Sequence, residues 1–129
     1  MHELTTADRV WNRACQGAGE TPRVGDTALA ALLVFHGAAM NGGVLHGVEC
    51  LSADELTAAT AGYRFFGFAP VAELIAKASD FLEVGEELEV HEGTLDHEYA
   101  VLVPDDSTLV ERFERHFQAN ALDFSPIRQ

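Results

Sequence analysis

Apolar residues recur every three to four positions along most of this chain, the spacing of helices that each bury one face. The clearest case is the segment 27–40, which is apolar on nearly all sides, follows Asp26 and ends at a glycine-rich turn. We expect this segment to be the buried central helix. Ser52 and Glu55 form a capping-box pattern at the start of another helix. The sequence predicts an all-α fold, a compact bundle of about six helices.

One segment departs from helical spacing. Residues 83–104 contain a period-two alternation at 86–90 and a strand-like apolar run at 99–103. These patterns predict an irregular acidic segment or a small hairpin. With 129 residues, of which 47% are apolar, the chain has the size and composition of one domain. We therefore expect residues 1–129 to form a single helical domain.

The charge of the chain is strongly negative and unevenly distributed. The 21 acidic and 8 basic side chains give a formal net charge of −13. Residues 71–106 hold eleven of the acids but only one base, Lys77. Such an excess of acid argues against binding to nucleic acid phosphates or to an anionic membrane, and it favours attraction to a basic partner. The alternative is a solvated surface that only keeps the protein soluble.

We expect an acidic protein-interaction module that binds a basic protein. Its electrostatic surface lies in the acidic segment 83–104. The candidate partner-binding residues are Glu83, Glu86, Glu87, Glu89, Glu92, Asp96 and Glu98. A compact chain of this size is about 35 Å wide, a length of duplex DNA that carries about 20 phosphate charges. A homodimer would match that charge density better than one copy.

Local motifs of catalysis are missing, since the sequence contains no P-loop, HExxH, GxSxG or paired CxxC. We therefore expect no enzyme activity, no cofactor and no metal site. The alternative is a metal- or small-ligand-binding protein, or an enzyme, that uses His91 and His97 with the acidic residues beside them, Glu92, Asp96 and Glu98. A nucleophile pairing of Cys50 with a histidine has no local signature and depends on the three-dimensional structure. We interpret His36, on the apolar helix, as a core residue with its hydrogen bonds satisfied.

The cellular location is predicted from the cysteines and from the lack of targeting segments. Cys15 and Cys50 match neither a disulfide framework nor a zinc pattern. The apolar run 28–35 is too short to cross a bilayer, and no basic and apolar leader opens the sequence. We expect a cytoplasmic protein without membrane contact.

Three segments together resemble a known family in their order and spacing. They are the apolar helix with the turn Asn41-Gly42-Gly43, residues 61–75, and residues 95–99 followed by the apolar spacing of 109–117. Over residues 27–124 the chain resembles the DNA-mimic-protein-type domain, a bacterial family of small acidic helical proteins. It departs from the family pattern at Val44, where an aromatic residue usually follows the glycine pair.

This resemblance implies a helical fold and, as in a characterised relative, binding to a basic DNA-binding regulator in place of DNA. An immunity-type inhibitor of a basic toxin or nuclease would use the same negative charge. We interpret Asn41, Gly42 and Gly43 as a structural turn, because glycine permits positive φ and the close approach of two helices.

Overall fold

A computed structural model describes residues 3–127, and within this part the chain forms seven α-helices, one short 3-10 helix and no strand. In chain order these are α1 (Thr6–Cys15), α2 (Val24–Gly42), α3 (Val44–Cys50), α4 (Ala53–Phe65), α5 (Ala69–Val84), α6 (Leu88–Leu102), α7 (Asp106–Ala119) and the 3-10 helix Ala121–Asp123. The prediction of an all-α bundle is confirmed.

Helix α2 lies at the centre of the bundle and packs against α1, α3, α4 and the 3-10 helix. Its residues Leu29, Leu32 and Phe35 are almost completely buried. The predicted central helix is therefore confirmed, and it extends beyond both expected ends. The sequence places Asp26 before this helix, whereas the structure places it in the first turn. There its carboxylate accepts a hydrogen bond of 3.0 Å from the backbone N–H of Arg23.

The prediction that the apolar run is too short to cross a bilayer does not apply to α2, which is longer than that run. At 19 residues, α2 is long and apolar enough to cross a membrane by length and composition alone. The shortness of the run 28–35 therefore does not exclude a membrane-spanning helix, because that run is only part of α2. The core helix of a soluble protein meets the same two criteria, and α2 occupies the core position in this bundle.

The prediction of an irregular segment or hairpin at 83–104 is wrong, because residues 88–102 form helix α6. The period-two alternation covers only five residues, whereas a helical spacing runs through the whole segment. The residues on the inner face are Leu88, Leu95, Tyr99 and Leu102. Burial of this face against the bundle favours a helix over the local strand pattern, and Leu95 is fully buried there.

A short connection joins α5 to α6, and the two helices pack on each other. Gly85 ends α5 in the left-handed conformation, with φ of 75°. Glu87 precedes α6 and is also left-handed, with φ of 52°. The backbone N–H groups of Val90 and His91 donate to the carbonyl oxygen of Glu87, which holds the first turn of α6 in place. The chain thus reverses direction within three residues and exposes them at one edge of the bundle.

Helices α2 and α4 come into close contact at Gly62. A Cβ atom at this position would lie 2.3 Å from the carbonyl oxygen of Ala28, so no larger residue fits without moving a helix. The predicted capping box at the start of α4 is present. The Ser52 hydroxyl accepts from the backbone N–H of Glu55 at 3.1 Å, and the Glu55 carboxylate accepts from the Ser52 N–H at 2.9 Å. These contacts place Tyr63 in the core, where it is fully buried.

Candidate protein-binding surface

Five of the seven predicted partner-binding acids lie exposed around the α5–α6 connection. We call this set the acidic turn surface, and its members are Glu83, Glu86, Glu87, Glu89 and Glu92. Among the described residues, none of the five forms a salt bridge or a side-chain hydrogen bond. Five carboxylates therefore face solvent within ten residues of chain and remain open to a basic partner.

Two exposed apolar side chains occur in the same stretch of chain as these carboxylates. Val84 is 67% exposed at the end of α5, and Val90 is 66% exposed in the first turn of α6. An exposed valine adds nothing to solubility. At protein interfaces, by contrast, an apolar centre is commonly surrounded by a polar rim. The stretch 83–92 therefore exposes apolar side chains as well as charge.

The remaining two predicted acids have partners within the fold. Asp96 is half-buried, and its Oδ1 accepts a hydrogen bond of 2.8 Å from the backbone N–H of Val44, at the start of α3. Glu98 accepts from Nζ of Lys77 through both carboxylate oxygens, at 2.8 and 3.0 Å. Asp96 thus supports the beginning of a helix, while Glu98 joins α6 to α5.

The turn Asn41-Gly42-Gly43 connects α2 to α3. Gly43 has φ of 97° and donates its N–H to the carbonyl oxygen of Ala39 at 2.7 Å, which closes the last turn of α2. A Cβ atom at this position would lie 3.0 Å from the Asp96 carboxylate. The turn therefore has a structural explanation in its backbone conformation and in the carboxylate that α6 places against it.

A hydrogen-bonded network of four side chains runs from the core to the surface, and no local sequence pattern indicates it. Nδ1 of His36 lies 2.6 Å from the Tyr99 hydroxyl, which lies 2.8 Å from the Tyr63 hydroxyl. Nε2 of His36 lies 2.7 Å from the carboxylate of Asp106, at the surface end of the chain. His36 is a core histidine with both ring nitrogens bonded, as the sequence suggested. The contact of His36 with Tyr99 was not predicted, because residues 99–103 have a strand-like pattern.

Burial also changes the acidity of the two phenols in this chain. Burial is the main cause that raises the pKa of Tyr63 and of Tyr99 above the ordinary tyrosine value. Both hydroxyls therefore stay protonated at neutral pH and can each donate one hydrogen bond. The four side chains tie together α2, α4, α6 and the start of α7.

The two histidines of the alternative metal hypothesis point to different neighbours. The ring of His91 stacks on Phe81 of α5, with ring centroids 3.7 Å apart. His97 lies beside a groove of about 450 Å³ between α5 and α6, together with Glu73, Lys77 and Glu98. Within residues 3–127, no group of three or more His, Cys, Asp or Glu side chains is arranged to hold a metal ion.

No protein-family model, no curated protein and no solved structure matches this chain. The resemblance to the DNA-mimic-protein-type domain therefore stays a prediction.

Proposed function

We propose that this protein is an acidic interaction module that binds a basic protein through the acidic turn surface. The observation that carries the proposal is the set of five exposed, unpaired carboxylates around the α5–α6 connection. Like charges held this close repel one another and lower the stability of the fold. A basic partner neutralises these charges on binding, and the loss of repulsion favours the complex.

The two exposed valines make the surface more specific than a charged loop. Val84 and Val90 supply apolar area that a partner covers, while the carboxylates around them steer the approach and pair with basic side chains. The partner surface complementary to this arrangement carries Arg or Lys around a small apolar patch.

The backbone of Glu87 is in the left-handed conformation, with φ of 52°. A non-glycine residue in the left-handed region costs about 1 kcal/mol or more, and asparagine or glycine would occupy this position at lower cost. Strained residues of this kind are concentrated at functional sites. An exposed and unpaired glutamate in this conformation supports a role for its charge in binding.

DNA mimicry toward a basic DNA-binding regulator is the sharpest form of this proposal. Such a regulator presents a basic surface shaped for phosphates, and clustered carboxylates on a rigid helical frame offer it similar charges. A basic toxin or nuclease presents the same chemistry. Competition with duplex DNA tests the mimicry itself, whichever class the partner belongs to.

The test is capture of partners from the native cell lysate on immobilised protein at low salt. The captured proteins are eluted with a salt gradient and identified by mass spectrometry, and the capture is repeated in the presence of duplex DNA. A basic DNA-binding protein that is released by salt and displaced by duplex DNA is the expected result. A basic partner that remains bound in excess DNA would support protein binding but contradict mimicry. Capture of no basic protein would overturn the proposal.

A further inference from the structure

The groove between α5 and α6 has an apolar lining as well as charged side chains. It lies where α5 begins and α6 ends, and its apolar lining residues are Pro70, Leu74, Val101 and Leu102. The ammonium group of Lys77 bonds to the Glu98 carboxylate at 2.8 Å. Among the described residues, the Glu73 carboxylate, which also lines the groove, has no such partner. The groove therefore offers apolar area together with one open negative charge.

The same face of the helix pair continues from the groove to the acidic turn surface. Val90 lies eleven positions before Val101 on α6, and Val84 lies eleven positions after Glu73 on α5. Eleven residues make three helical turns, so each valine shares a face with a residue that lines the groove. All three valines are exposed, at 67% for Val84, 66% for Val90 and 64% for Val101.

An aromatic pair joins the two helices between the groove and the turn. Phe81 lies two turns after Leu74, and His91 lies two turns before Glu98, so both share the groove's face. Their rings stack with centroids 3.7 Å apart, and both residues are half-buried. We call the whole surface the α5–α6 face, with the members Leu74, Phe81, Val84, Val90, His91 and Val101.

The charge around the α5–α6 face identifies the sign of its partner. Residues 71–106 contain eleven acids, and their single base, Lys77, is already paired with Glu98. A basic segment complements this charge. A second copy of the chain would bring two acidic faces together, and the like charges would repel each other.

The dimensions of the face fit a helix. Helix α5 has 16 residues, so the face is about 24 Å long, the length of a partner helix of about 16 residues. Helices pack along the grooves between other helices, and an amphipathic helix that binds in this way presents apolar residues at positions i, i+3 or i+4, and i+7.

We propose that the α5–α6 face is a docking groove for a basic amphipathic helix of the partner protein. The apolar stripe of that helix covers Leu74, Val101 and the two valines near the turn. Its Arg and Lys side chains pair with Glu73 and with the carboxylates of the acidic turn surface. This inference rests on the proposed function, since it specifies which part of a basic partner binds and where.

The experiment measures binding of two dye-labelled peptides to the full chain by fluorescence anisotropy. The first peptide has about 18 residues, with leucines at helical spacing on one side and lysines on the others. The second has the same composition in a scrambled order, which keeps the charge but removes the apolar stripe. We expect the first peptide to bind at least about tenfold more tightly, because only its stripe fits the groove.

The double variant Val90→Asn/Val101→Asn tests the face itself. Valine and asparagine have similar helix propensities, so helical circular dichroism should stay unchanged. We expect binding of the first peptide to weaken by about tenfold, because apolar contact at two positions is lost. The matched control is Val24→Asn/Val34→Asn, which changes two exposed valines of α2 outside this face and should bind like wild type.

Equal binding of the two peptides, or unchanged binding in Val90→Asn/Val101→Asn, would overturn the docking groove. Neither result affects the binding of a basic protein through the acidic turn surface, which fails separately if the lysate yields no basic protein. Sedimentation equilibrium tests the second copy as the occupant. A wild-type dimer that Val90→Asn/Val101→Asn dissociates would overturn the proposal in favour of self-association, whereas a monomer at all concentrations supports it.

Discussion

The hydroxyl oxygens of Tyr63 and Tyr99 lie 2.8 Å apart in the core, where α4 meets α6. These residues are the only two tyrosines in the sequence. Tyrosinate absorbance in the near ultraviolet therefore reports on this buried pair alone. The pair offers a direct test of the packing that holds the acidic helix α6 on the bundle.

Alkaline titration should unfold the protein and ionise both tyrosines together. In the unfolded chain a tyrosine loses its proton at about pH 10. Burial raises the pKa of both residues in the folded state, so the native state binds more protons above that pH. The free energy of unfolding therefore has its full tyrosine contribution below about pH 10 and falls as the pH rises further. Tyrosinate absorbance and helical circular dichroism should change in one transition.

Tyr63→Phe is the control for this titration. It removes the hydroxyl group of Tyr63, which bonds only to Tyr99, and keeps the hydrogen bond of Tyr99 with His36. We expect half the tyrosinate signal, still coincident with the loss of helix. Tyrosinate that appears near pH 10 while the helical signal is intact would contradict the buried pair.

Asp26 holds three parts of the chain together and should be the most sensitive single acid. It is 1% exposed and accepts from Nη2 of Arg13 at 2.8 Å, as well as from the backbone N–H of Arg23 and of Ser125. Asp26→Ala leaves these donors without their acceptor and should lower the free energy of unfolding by about 3 kcal/mol. Urea unfolding followed by fluorescence of Trp11 measures it. A loss under about 1 kcal/mol would contradict this role.

Asp96 should contribute to stability rather than to partner binding. Gly43 precedes α3 and has no side chain to accept from the first backbone N–H groups, and Asp96 supplies that acceptor at Val44. Asp96→Ala should lower the free energy of unfolding by about 1 kcal/mol. Glu92→Ala, on the same helix but exposed and unpaired, should change it by less than about 0.5 kcal/mol. Equal losses in the two variants would contradict the assignment.

Glu87→Asn should increase stability while it weakens partner binding. Asparagine adopts the left-handed conformation at lower cost than glutamate, so we expect a gain of about 1 kcal/mol in urea unfolding. Glu86→Asn removes the same charge from a neighbouring exposed residue outside the left-handed region, and it should not give this gain. If the two variants unfold alike, the strain at residue 87 has no measurable effect.

The helical fold could be predicted because helical spacing and capping residues act locally. The capping box at Ser52 and the apolar face of 27–40 both appear in the structure. Helix α6 was missed because a five-residue alternation and a β-rich run suggested strands. The longer helical spacing of the segment was also present in the sequence, and burial of Leu95 and Tyr99 against other helices decides between the two patterns.

The candidate surface could be located only in part. Clustered glutamates predict solvated carboxylates, which holds for the five residues of the acidic turn surface. Asp96 and Glu98 lie in the same acidic segment as these five residues. They nevertheless bond to Val44 and Lys77, which are distant in sequence. The contact of Cys50 with His46 is local on a helix, and helical spacing of these two residues was the signal that would have revealed it.

The central claim is that the position of the charge, and not its total, creates the binding surface. Two variants with the same change in net charge distinguish an effect of the position of the charge from an effect of the total charge. The turn-surface variant carries Glu→Gln at positions 86, 87, 89 and 92, and the control variant carries Glu→Gln at the exposed positions 3, 20, 49 and 111. Both should fold with the wild-type helical content, since none of these side chains is buried.

The most direct test is calorimetric titration of the captured partner against wild type and both variants over a range of salt concentrations. We predict that the turn-surface variant binds more weakly and loses much of the salt dependence, while the control variant stays close to wild type. An equal loss of affinity in the two variants would contradict a localised binding surface and would leave the negative charge as a property of the whole protein.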